Sequence, residues 1–68
     1  MNTRLNNIIR NSILALIAVN GKTSTRFIIR LMASLFGTTR QRISGNISYL
    51  VTSGKVQISR NYPHSVIY

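Results

Sequence analysis

Residues 36–56 read Phe-Gly-Thr-Thr-Arg-Gln-Arg-Ile-Ser-Gly-Asn-Ile-Ser-Tyr-Leu-Val-Thr-Ser-Gly-Lys-Val, and this stretch decides the fold. Gly37 breaks the apolar run before it and Thr38 or Thr39 offers a hydroxyl cap. Ile43, Ile47, Leu50 and Val51 then recur at three- and four-residue spacing, the period of a helix with one buried face. The spacing predicts a helix over about 39–52, closed by Ser53-Gly54. Its other face carries Gln41, Gly45, Ser48 and Thr52, with Thr38, Arg42 and Tyr49 along one flank. Gly45 costs a helix interior roughly 1 kcal/mol relative to Ala. Two readings are open for it: a backbone approached closely by a ligand surface, or a tolerated loss.

Upstream, Lys22-Thr23-Ser24-Thr25 supplies hydroxyl caps for a helix over about 24–36. Its apolar residues are Phe27, Ile28, Ile29, Leu31, Met32, Ala33, Leu35 and Phe36, so Arg26, Arg30 and Ser34 form the only polar stripe. So narrow a polar face requires cover on most sides. Either this is the central helix, with Phe27 and Phe36 in the core, or part of it is buried against a second copy. Further upstream, Leu5, Ile8, Ile9, Ile13, Leu16 and Ile17 keep the helical period over about 3–19, with Asn6, Asn7, Arg10 and Asn11 opposite, until Asn20-Gly21 stops it. Leu14 falls on the polar side, as an exposed leucine or a subunit contact.

Downstream the period changes to two. Val56 and Ile58, then Val66 and Tyr68, alternate with Gln57, Ser59 and Ile67, and Arg60-Asn61-Tyr62-Pro63-His64-Ser65 between them reads as a turn. A β-hairpin over about 55–68 is expected, with Lys55 at its base and Arg60, Asn61 and His64 at its tip. The architecture expected is mainly α with a small β-hairpin: three helices followed by a two-stranded wing, in a single domain over residues 1–68.

Composition narrows the chemistry. The 68 residues hold nine Lys plus Arg and no Asp or Glu, a formal charge of +9. Without a carboxylate side chain there is no carboxylate acid/base pair, no carboxylate-oriented triad and no ordinary Ca²⁺ or Mg²⁺ site. Cysteine is absent, and a lone His64 cannot build a zinc site. No enzyme activity and no cofactor is expected. Nine cations on so small a body repel one another and seek an anionic partner, nucleic acid or membrane. The apolar run Ile13–Val19 is only seven residues long, against the roughly 20 that a spanning helix needs. Nor does it precede a small-residue cleavage site. The expectation is a cytoplasmic protein without a membrane partner, nucleoid-associated when bound.

The order helix, helix, helix, hairpin, with a tight turn at Gly37, resembles the core of bacterial and archaeal winged-helix regulators of the MarR and ArsR kind. Counted from the turn glycine, that family places apolar residues at plus six, plus ten and plus thirteen, glycine at plus seventeen and an apolar strand residue at plus nineteen. Ile43, Ile47, Leu50, Gly54 and Val56 fill those places here. Ala33 matches the small residue packed between the two helices, and Ser65-Val66-Ile67-Tyr68 is similar to the second wing strand. The resemblance covers residues 22–68 as a fold-level pattern, and fold does not fix function. Its dimerisation and effector helices have no counterpart before Tyr68, so no small-molecule effector is expected.

The resemblance implies double-stranded DNA as partner and the 39–52 helix as the recognition helix. In a major groove Arg bonds guanine and Asn or Gln bonds adenine, which singles out Arg40, Gln41, Arg42 and Asn46; of these Arg40 lies nearer the core side of the helix than Gln41 and is expected to reach phosphate rather than a base. Thr38, Thr39 and Ser44 suit phosphates or bases, Gly45 a close approach, and Tyr49 a phosphate or the wing. Lys22 and Ser24 stand ahead of the second helix, where they suit backbone phosphates or caps. Arg60, Asn61 and His64 suit the minor groove or backbone, as the resemblance implies for wings. Arg4, Arg10, Arg26 and Arg30 are read as contributors to the overall field. The function expected is a sequence-specific DNA-binding regulator, a homodimer on a pseudo-palindromic site. The alternatives are an architectural, excision, partition or replication-accessory DNA binder, and an RNA-binding basic protein.

Overall fold

The computed structural model describes residues 3–60 and 65–68. Its elements follow in the order α1 (Thr3–Asn20), β1 (Thr23–Ser24), α2 (Thr25–Phe36), α3 (Arg40–Thr52), β2 (Ile58–Ser59) and β3 (Val66–Ile67). The described chain is mainly helical, with a small three-stranded antiparallel sheet in the order β1-β3-β2.

Local chemistry sets the helix ends. The Ser24 hydroxyl oxygen accepts from the Phe27 amide at 3.4 Å, and the Thr39 hydroxyl oxygen accepts from the Arg42 amide at 3.1 Å. Each occupies an amide that the first helical turn leaves without a partner. Gly37 closes α2 at φ 60°, the left-handed region that glycine enters without a Cβ penalty. The Thr38 amide then reaches the Ala33 carbonyl at 3.0 Å and the Gly37 amide the Ser34 carbonyl at 3.3 Å. The same pair of bonds ends α3 at Gly54, φ 76°, where the Lys55 amide meets the Leu50 carbonyl and the Gly54 amide the Val51 carbonyl, both at 3.0 Å.

One core joins all three helices to the sheet. Ile9 and Ile13 of α1, Ile28 and Met32 of α2, and Ile43, Ile47 and Leu50 of α3 meet Val56 and Ile67, and each of these is at most 5 % exposed. The burial matches the spacing read from residues 36–56.

Four readings are corrected. The sheet has a third strand, because Thr23 pairs with Ile67 and Ser24 with Val66. Residues read as caps therefore also form the sheet's outer edge, and Thr23 is buried there. The phase of the last strand is the reverse of the expected one. Ile67 lies at the sheet's centre, opposite both Ile58 and Thr23, and is fully buried, whereas Tyr68 is 43 % exposed. Phe27 is 51 % exposed rather than core, on one stripe with Leu31 and Leu35 that the described residues leave exposed. Phe36, in contrast, packs against the core as expected. Leu14 is half-buried and also packs on the core, so it is not a solvent-facing leucine.

Candidate nucleic-acid interface

Gln41, Gly45, Ser48 and Thr52 are all exposed and follow one line along the outside of α3. This ridge is low. A Cβ added at Gly45 would meet nothing within 4 Å, so no packing within the chain calls for glycine there.

Cations rise on both sides of the ridge. Towards α2, a groove of about 380 Å³ is lined by Arg26, Ile29 and Arg30 of α2 and by Arg40, Gln41 and Ser44 of α3. Towards α1, a groove of about 390 Å³ is lined by Arg10 and Arg42 with Asn6, Thr39, Gln41, Gly45 and Asn46. A smaller hollow of about 220 Å³ continues from Arg10 and Tyr49 to Lys55. Acidic side chains are absent from the sequence, so none of these cations is neutralised by a carboxylate side chain.

The α1 side is held by a polar network. Arg10 Nε donates to Asn46 Oδ1 at 2.9 Å, and Asn46 Nδ2 donates to Asn6 Oδ1 at 3.3 Å and to the Arg42 carbonyl at 3.0 Å. Arg42 Nη1 donates to the same Asn6 oxygen at 3.2 Å. The Arg10 guanidinium carbon lies 3.6 Å from the centroid of the Tyr49 ring, a cation–π stack, while Arg10 Nη1 reaches Asn7 Oδ1 at 3.4 Å. With no carboxylate side chain in the sequence, asparagine oxygens and an aromatic face receive these guanidinium groups. Asn46 suits the buried centre because one amide both donates and accepts.

The residues singled out from the sequence divide accordingly. Arg40, Gln41, Ser44 and Gly45 stand exposed around the ridge. Thr39 caps α3, and half-buried Thr38 sits in the turn before it. Asn46 is 4 % exposed, and its amide donates to Asn6 and to the Arg42 carbonyl within the chain. Arg42 is half-buried and turned towards Asn6. Tyr49 packs under Arg10 of α1 rather than on the β2–β3 side, and remains 49 % exposed.

At the other end of α2, Ser24 is its cap, and exposed Lys22 holds its ammonium 5.2 Å over the Tyr68 ring. Arg60 is exposed at the end of β2. Asn61 and His64 lie outside the described residues.

Arg10, Arg26 and Arg30 were read as mere field contributors and instead line the grooves, and Asn6 was not singled out at all. A signal existed. Asn6 and Arg10 are four apart on α1, as Arg42 and Asn46 are on α3, so each pair shares a helix face and offers complementary donors and acceptors. That these two faces meet is a tertiary fact.

No group of three or more His, Cys, Asp or Glu that could hold a metal occurs among the described residues, and no described helix is long and apolar enough to cross a membrane. The chain matches no protein-family model, no curated protein and no solved structure.

Proposed function

We propose that this protein binds double-stranded DNA as a winged helix-turn-helix, with α3 in the major groove and the β2–β3 strand pair as its wing. The observation that carries this reading is the low ridge of Gln41, Gly45, Ser48 and Thr52 between Arg26, Arg30 and Arg40 on one side and Arg10 and Arg42 on the other. A helix about 10–12 Å across fits a major groove about 12 Å wide. A low crest lets its backbone approach the bases, while cations on both flanks meet the two phosphate strands that border the groove. Arg10 belongs to this interface, since its stack on Tyr49 and its bond to Asn46 hold it beside α3.

The biological role we propose is a small sequence-specific transcriptional regulator. It acts as a homodimer on a two-fold site, in keeping with the uncovered apolar stripe Phe27, Leu31 and Leu35. An architectural binder is the second reading. It is favoured by the shortness of Gly45, Ser48 and Thr52, which limits direct base readout.

The test is titration of a fluorescent duplex over a range of salt. About six phosphate contacts give a slope of log affinity against log salt near −5, and Arg26→Ala or Arg30→Ala each reduces its magnitude by about 1. A salt-independent affinity overturns the proposal, as does preferential displacement of the duplex by RNA in competition. One enriched motif from a random duplex pool supports the regulator, whereas equal binding to all duplexes supports the architectural role.

A further inference from the structure

We infer that base recognition by this protein is concentrated in one residue, Gln41, and that each recognition helix therefore selects an adenine at a single position. This rests on the DNA-binding reading above and adds to it which contact carries the sequence information.

Four long polar side chains of α3 can make a bidentate contact with a base edge: Arg40, Gln41, Arg42 and Asn46. Asn46 is 4 % exposed, and its amide donates to Asn6 and to the Arg42 carbonyl while accepting from Arg10. Presenting that amide to adenine would break three bonds and strip a buried group of its partners, so Asn46 stays inside. Arg42 is half-buried on the α1 flank, and its guanidinium is turned to Asn6 rather than outward. Arg40 stands on the opposite flank, where it lines the α2 groove together with Arg26 and Arg30. Such a cluster suits a phosphate better than a base, because its charge is not offset by any carboxylate side chain.

Gln41 remains. It is exposed, stands first on the ridge, and is the one residue that lines both the α1 groove and the α2 groove. It thus lies on the midline of the helix, between the two rows of cations, where base edges would run. Behind it Gly45, Ser48 and Thr52 are too short to form a bidentate pair with a base. The glutamine amide, one donor and one acceptor side by side, matches the N6 and N7 pattern of adenine.

The experiment is selection from a random duplex pool with the wild-type protein, Gln41→Ala and Gln41→Arg, each checked for an unchanged circular dichroism spectrum. The wild type is expected to enrich a motif with a fixed A·T pair. Gln41→Ala should lose roughly ten- to hundredfold discrimination at that pair alone, keeping its affinity for unrelated duplex. Gln41→Arg should replace the preference with G·C. The inference is overturned if the wild-type motif survives Gln41→Ala, if it is a guanine motif abolished by Arg40→Ala or Arg42→Ala, or if duplexes of every sequence bind alike with a steep salt slope. In those three cases the DNA-binding reading still stands. Failure to bind any duplex removes that reading and the inference with it.

Discussion

Asn46 and Gly45 are neighbours on α3 with opposite roles, and both are testable by a single substitution. Asn46 joins α1 to α3 through Arg10 and Asn6. Asn46→Ala removes three hydrogen bonds, but Arg10 and Asn6 are only half-buried and can turn to water. A loss of about 1–2 kcal/mol is therefore expected in urea unfolding, and no measurable loss would show the network to be a surface ornament. Gly45 has open space at its Cβ, so Gly45→Ala should raise stability by about 0.5–1 kcal/mol. The proposed groove contact predicts that the same variant binds duplex less tightly. A parallel rise in stability and affinity would take Gly45 out of the interface. Thr25 offers a third case, as its hydroxyl is buried without a hydrogen-bond partner among the described residues. Thr25→Val keeps the shape and removes the unsatisfied group, for an expected gain of about 1 kcal/mol in thermal or chemical unfolding.

The elements divide into those whose signals are local and those whose signals are not. α2 and α3 begin where hydroxyl caps stand and end where Gly37 and Gly54 take left-handed backbones, so their bounds follow from residues 24–54 alone. Thr39→Ala should accordingly cost about 1 kcal/mol, whereas Thr38→Ala, lacking the cap bond, should cost much less. Equal losses at the two positions would contradict the capping account. The strands were legible only in part. A two-residue strand carries no period, so nothing in Thr23-Ser24 announces a pairing with Val66-Ile67. The alternation around Ile67 is ambiguous for the same reason, and its burial is settled by having a strand on each side. On α2 the apolar residues outnumber what one core can cover. Spacing alone could not say that Ile28 and Met32 face inward while Phe27, Leu31 and Leu35 do not. The candidate site shows the same division: Gln41 and Gly45 were readable as an exposed helix face, but the burial of Asn46 and its bond to Arg10 depend on how α1 lies against α3.

At the scale of the whole molecule the governing fact is nine cations and no carboxylate side chain. Acid unfolding of most proteins comes from carboxylates that are held ionised by native partners and must take up protons, so that the unfolded state binds more protons than the native one and stability falls with pH. Here no Asp or Glu exists to be protonated in either state, and between pH 5 and 3 the difference in side-chain protons bound is close to zero. Stability should therefore be flat across that window. A cooperative loss of helical circular dichroism between pH 5 and 3 would refute this. Salt acts the other way from its action on a typical ion-paired surface. The self-repulsion of the cations opposes the compact state at every pH, and screening relieves it because the Debye length falls from about 30 Å at 0.01 M to about 8 Å at 0.15 M. Raising salt over that range should raise the melting temperature of the free protein while weakening the proposed hold on duplex DNA. Both trends have one origin: the unneutralised arginines along α3 and its neighbours are a cost to the folded chain that the phosphate backbone of the proposed complex would remove. A melting temperature that falls with added salt would require attractive ionic contacts within the chain, which a sequence with no acidic side chain does not supply.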